Sequence, residues 1–197
     1  MKTLFNSAKI LLITSLLMCA FTSCKENTEK PKDTKEVAED KNEAQLDQMA
    51  SEDDEAKFFV DIAAIGLTEI ELAKLAEKKA THSGVKEYAK MLIRDHEKSN
   101  AELKSLAENR SLTIPTSLTD KGKEDYQKLN EKYGLEFDKK FVDMMIDDHE
   151  KAIRKMENAS EDNDKDQSIK VWASNKIATL TSHLQDAKML KEKLDVK

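Results

Sequence analysis

From residue 52 onward, apolar positions recur at spacings of three and four, the period of helices that each bury one face. Phe59, Ile62, Gly66, Glu69, Ala73 and Ala76 fall on one stripe and predict a first helix over residues 53–80. Thr81, Ser83 and Gly84 break it. Thr81 or Ser83 is expected to cap a second helix, which runs to residue 109 on Val85, Ala89, Leu92, His96, Leu103 and Leu106. A connection containing Pro115 follows, then a short helix over 120–132 that Thr119 or Asp120 can cap and Gly134 interrupts. A third long helix is expected over 136–158 through Phe137, Phe141, Met145, His149, Ala152 and Met156. A fourth, over 165–194, carries Ile169, Ala173, Lys176, Leu180, His183, Ala187 and Leu190 on one stripe, widened by Trp172 and Ile177. The acidic turn at 160–164 lacks the spacing and closing Glu of a calcium loop, so it reads as the cap of this last helix.

Each stripe needs an opposing one to leave water, so the fold class is all-α: a four-helix bundle of two helical hairpins, with an extra short helix before the third long one. The hairpins resemble each other. Phe59, Val60 and Asp61 match Phe141, Val142 and Asp143, while Val85 to Ala89 match Ile169 to Ala173 at nearly the same offset. The long connection through Pro115 lets the joined helices be other than up-down neighbours, the topology expected of ferritin-like bundles.

Glu69, His96, His149 and His183 fall one on each long helix, each on or next to its apolar stripe. Counted from the helix ends, all four fall near one middle layer. Imidazoles and a carboxylate in such a layer form a nitrogen and oxygen environment suited to iron, zinc or manganese. The segments around His96 (Met91 to Lys98) and His149 (Met144 to Lys151) repeat one form, with Asp95 and Asp148 just ahead of the histidines. Neighbouring helical residues point about 100° apart, which makes these aspartates supporting groups rather than fellow ligands. Tyr88 lies beside its stripe and can supply a hydroxyl. No histidine here has a Glu three residues before it, so the Glu-x-x-His pattern of dinuclear ferritin-like sites is absent and one ion is the natural stoichiometry. The alternative is a set of buried histidines paired with Glu69, Asp95 and Asp148. His82 falls in a loop, where solvation is expected.

Other chemistry finds little footing. No glycine-rich phosphate loop or nucleophile elbow occurs, nothing singles out a catalytic carboxylate pair, and the balance points away from an enzyme. With a net charge of -6 and no basic stripe, nucleic acid is excluded as a partner.

The first 23 residues read as an export signal: Lys2 and Lys9 precede an apolar run, Ile10 to Phe21, too short for a spanning helix. Thr22, Ser23 and Cys24 resemble the lipobox of bacterial lipoproteins, which makes Cys24 the expected lipidation site and a membrane the expected partner. Lys25 and Glu26 behind it resemble a surface-export signal of such lipoproteins. Cys19 leaves with the signal, so no disulfide can form within the mature chain. Residues 24–51 are polar and acidic with almost no large apolar side chain, and predict a disordered tether ahead of a domain over 52–194.

The run from Phe59 to Leu72, followed by Val85 to His96, resembles the DUF4142 family. The likeness continues through Phe137, Asp138, Met144, Asp148, His149 and the segment Leu180 to His183. The resemblance implies an exported bacterial protein, of a kind described as predicted outer-membrane proteins, with a ferritin-like helical fold and no settled biochemical role. It also makes Glu69, His96, His149 and His183 the positions most worth testing. Two functions follow as expectations. One is a lipid-anchored protein of the cell envelope acting as an interaction or stress-protection module in the periplasm or at the surface. The other is a metal-binding protein in metal handling or oxidant defence.

Overall fold

The computed structural model describes residues 31–46 and 50–196. The signal segment 1–23 and Cys24 lie outside the described residues. Among those described there are six helices and no strand: α1 (Thr34–Leu46), α2 (Ala50–Lys79), α3 (Ser83–Glu108), α4 (Asp120–Asn130), α5 (Gly134–Glu161) and α6 (Gln167–Asp195). The four long ones follow the stripes. α2 packs on α3 and α5 on α6 as two hairpins, and α2 meets α5 while α3 meets α6.

The core falls into two apolar clusters, and all four long helices run through both. One cluster contains Leu72, Ala76, Val85, Leu92, Phe137, Phe141, Met145 and Leu190. The other contains Phe59, Ile62, Leu103, Ala152, Met156, Ile169, Trp172 and Leu180. α2 and α6 pass from the second cluster to the first, whereas α3 and α5 pass the other way. Helices α3 and α5 are therefore parallel, and the segment between them, with Pro115 and α4, crosses the length of the bundle. That is the one-crossover connectivity of ferritin-like folds. The repeat also makes sense in this frame. Phe59 and its counterpart Phe141 sit in opposite clusters, so the two hairpins are related by a turn that exchanges the ends of the bundle.

Local details depart from the sequence reading at three places. Inside the expected tether, Thr34–Leu46 is helix α1, lying against α2. Little apolar surface holds it. Ala38 and Asn42 are buried, and the Asn42 amide makes both hydrogen bonds of a peptide pair with Thr113, donating to its carbonyl at 2.9 Å and accepting from its N–H at 2.8 Å. Lys35 reaches Asp61 at 2.5 Å, and Asp33 accepts from the Asp120 N–H at 2.5 Å. Second, the N-cap of α3 is His82, whose Nδ1 accepts from the Gly84 N–H at 3.1 Å, so this imidazole satisfies a helix end instead of being simply solvated. Third, α5 runs into the acidic turn as far as Glu161, and Asp166, beyond that turn, caps α6 by accepting from the Ser168 N–H at 2.9 Å. Thr119 caps α4, accepting from the Gly122 N–H at 3.0 Å.

The α2–α3 corner is pinned from across the bundle. Asp138 on α5 is fully buried and accepts from the Thr81 N–H at 3.0 Å, the Thr81 hydroxyl at 2.5 Å and the His82 N–H at 2.8 Å. It fixes the corner through which α3 turns back toward the middle of the bundle.

Candidate metal centre

Glu69, His96, His149 and His183 are all buried, and on every long helix the polar residue falls between the two apolar clusters. Helical periodicity brings this about, because each one continues its own apolar stripe. The layer thus takes one residue from each helix. Its three imidazoles form a nearly equilateral triangle, with ring centroids 5.3, 5.4 and 5.4 Å apart. One ring nitrogen from each lies within 4.8 Å of the others, close enough for the three to share an ion.

The hydrogen-bond partners assign the protons. His149 Nδ1 lies 2.8 Å from the Met145 carbonyl, which can only accept, so Nδ1 carries the hydrogen and Nε2 is left with a lone pair. His183 Nε2 lies 3.2 Å from Asp95 Oδ2, whose carboxyl is held below the usual carboxylate range mainly by Arg94. That nitrogen therefore donates, and His183 Nδ1 keeps the lone pair. The two lone-pair nitrogens, His149 Nε2 and His183 Nδ1, face each other at 3.3 Å. In these tautomers neither ring offers a proton to the contact, and a shared cation would bridge it. In tetrahedral zinc sites with Zn–N bonds of about 2.0 Å, ligand nitrogens stand about 3.3 Å apart.

His96 has the same split character. Its Nδ1 is 3.3 Å from Glu69 Oε2, while its Nε2 is buried with no partner. Glu69 Oε1 is 3.2 Å from His149 Nδ1, yet that N–H is already committed to Met145, and Oε1 accepts no hydrogen bond. Glu69 thus stands against two of the imidazoles, at the nitrogens turned toward acceptors.

Burial sets the charge states. It pushes the His96 imidazole well below its ordinary range, with repulsion from the other two rings adding to it. Burial and His183 bring His149 down to about 4 against the stabilising Met145 bond, and burial outweighs Asp95 in lowering His183. All three rings are therefore neutral near pH 7, the form in which imidazole binds metal. The Glu69 carboxyl is pushed well above the usual range by burial, with Asp148 adding to the shift and Lys151 opposing it.

The supporting residues separate. Asp95, next to His96 in sequence, reaches across to His183 on α6. Asp148, in the equivalent place before His149, pairs with Lys151 at 3.1 Å, and burial raises its carboxyl. Tyr88 donates its hydroxyl to the His183 main-chain carbonyl at 3.0 Å, tying α3 to α6 beside the centre. The Met145 carbonyl, which orients His149, is a main-chain group of an ordinary helical turn, and no side-chain pattern marks it. A cavity of about 230 Å³ opens on the His96, His183 and Glu69 side of the layer, and His149 takes no part in its lining.

A family model described as a domain of unknown function, DUF4142, matches residues 38–190. The chain belongs to the DUF4142 family. The matched region of this DUF4142 chain begins inside α1 and includes all four residues of the polar layer. No curated protein and no solved structure matches the chain.

Proposed function

We propose that the protein binds one transition-metal ion at the centre of the bundle and serves in metal handling or oxidant defence. The reading rests on one observation: three buried neutral imidazoles converge, two of them with unprotonated nitrogens face to face at 3.3 Å. In this reading His149 binds through Nε2, His183 through Nδ1 and His96 through its unpartnered Nε2. Met145, Asp95 and Glu69 hold the opposite nitrogens, as acceptors behind metal-bound histidines commonly do. An all-nitrogen set suits zinc or iron better than manganese, which prefers oxygen. Glu69 then orients ligands instead of binding the ion.

Elemental analysis of untagged protein tests this. About one ion per chain is expected for a single site of this kind, with the ion lost in both His96→Ala and His149→Ala while helical content is kept. Protein that stays metal-free after exposure to zinc and iron(II) would end the metal reading and leave the interaction module. The cellular setting proposed is the envelope, through a lipid on Cys24. Its support is the signal-like start of the chain, and no helix among the described residues is long and apolar enough to cross a membrane. Fatty-acid labelling that survives Cys24→Ala would refute the anchor.

A further inference from the structure

Closed structural metal sites use four protein ligands, whereas sites that act on something keep a position for an outside molecule. Which kind this is can be read from what surrounds the triad. Among the described residues three side chains converge on the central point, and the fourth residue of the layer, Glu69, is set against the Nδ1 atoms of His96 and His149. The space beside them is a cavity of about 230 Å³, far larger than the roughly 30 Å³ that one water occupies. It reaches from the buried His96 and His183 to Lys98 and Thr179, which are exposed, so the layer communicates with solvent on this side. The buried, unpartnered Nε2 belongs to His96, one of the residues lining this cavity.

Two further features of the lining describe what would fit. Its lining includes the apolar Ile62, Ile65, Met156 and Leu180, and Lys98 and Lys176 also line it, the Lys176 ammonium being paired with Glu102 at 2.5 Å. Of the two acidic residues there, Asp95 is paired with Arg94 and His183, while Glu69 lies against His96 Nδ1 through Oε2 and keeps Oε1 without a hydrogen bond. An ion on three neutral ligands keeps its full positive charge and calls for an anionic donor.

We infer that the ion held by His96, His149 and His183 keeps one coordination position open to this cavity, and that the position takes a small monoanion with a short aliphatic body, of the short-chain carboxylate class. The inference rests on the metal reading above. Binding is a simple ligand exchange: the carboxylate oxygen replaces a water on the ion, and its hydrocarbon part lies against Ile62, Ile65 and Leu180.

Cobalt(II) in place of the native ion makes the exchange visible, because its absorption reports coordination number and donor set. Full-length protein loaded with cobalt(II) is titrated with azide, the smallest probe anion, and with propionate. Both are expected to change the visible spectrum saturably. Thr179→Trp, at an exposed position of the cavity rim, should keep one cobalt per chain and the same starting spectrum, yet raise the propionate concentration at half-saturation by about tenfold or more, a loss of about 1.4 kcal/mol. Stoichiometric cobalt with a spectrum that neither anion alters would mean that the protein closes the site itself, and the inference would fail while the metal reading stood. A propionate response unchanged in Thr179→Trp would also overturn it, by removing the cavity from the route. Failure to bind cobalt at all would remove both.

Discussion

Among the described residues two carboxyl groups are buried, and they have opposite surroundings. Asp138 is 0% exposed and Glu69 is 1% exposed, so neither lies open on the surface of the bundle. Asp138 meets two N–H groups and a hydroxyl from the Thr81–His82 corner, and its position is explained by the structure it holds. Glu69 lies against the Nδ1 atoms of two imidazoles and keeps an oxygen without a hydrogen bond, and Nε2 of one of those rings, His96, is equally bare. An unmade hydrogen bond of a buried group costs about 1–3 kcal/mol, so a folded chain that leaves two such atoms in one layer is arranged for something besides its own stability. Satisfied burial marks architecture, and unsatisfied burial marks a place for a ligand.

The sharpest way to break this contrast is to remove an imidazole. His149→Ala should abolish metal binding outright, as elemental analysis would show, whereas Asp138→Ala should keep the full metal content.

Acid supplies the next largest effect. His149 sits at about 4 in the folded chain against an ordinary 6.5, so between those values the unfolded chain takes up a proton that the folded chain refuses. Its contribution, on the order of 3 kcal/mol, is present above pH 6.5 and is lost as the pH falls through 4. His96 and His183 are shifted the same way. Glu69 is raised, so its contribution is present below about 4.5 and lost as the pH rises through its folded value, opposing the histidines. With three imidazoles against one carboxyl, denaturant unfolding of chelator-treated protein should show lower stability at pH 5 than at pH 7.

On the architectural side, Asp138→Ala should cost about 3 kcal/mol in the same unfolding measurement, because three donors lose a charged acceptor. Asp95→Asn tests the ligand side more gently. It leaves the imidazoles in place but weakens the acceptor behind His183, and should lower metal affinity about 10- to 100-fold in a competition titration with a chromogenic chelator. The smallest effect is expected from Asn42→Ala, which removes both bonds to Thr113 and should cost about 1–2 kcal/mol without changing metal content.

What could be read from the sequence follows from how each part is held. Apolar periodicity reports which face of a helix is buried, so the four stripes located the long helices, and a polar residue continuing a stripe, such as His149 between Met145 and Ala152, announced its own burial. The same reasoning cannot see α1, which is docked by the Asn42 amide, Lys35 and Asp33 in a stretch whose composition is that of a solvated segment. Asp138 is hidden for a related reason. It sits among charged neighbours on a helix, and its partners, Thr81 and His82, are more than fifty residues away in the chain. Asp95 and Asp148 occupy equivalent places before their histidines, but Asp95 reaches His183 on a neighbouring helix whereas Asp148 pairs with Lys151 of its own helix.

The crossover gives the histidine layer a mechanical meaning. Glu69 and His96 come from the first hairpin, His149 and His183 from the second, so an ion among them is a rivet through the seam where α2 meets α5 and α3 meets α6. At a free ion concentration a hundred times the dissociation constant, such a rivet adds about 2.7 kcal/mol to the cohesion of the whole. The firmness of this bundle would then rise and fall with the metal content of its surroundings.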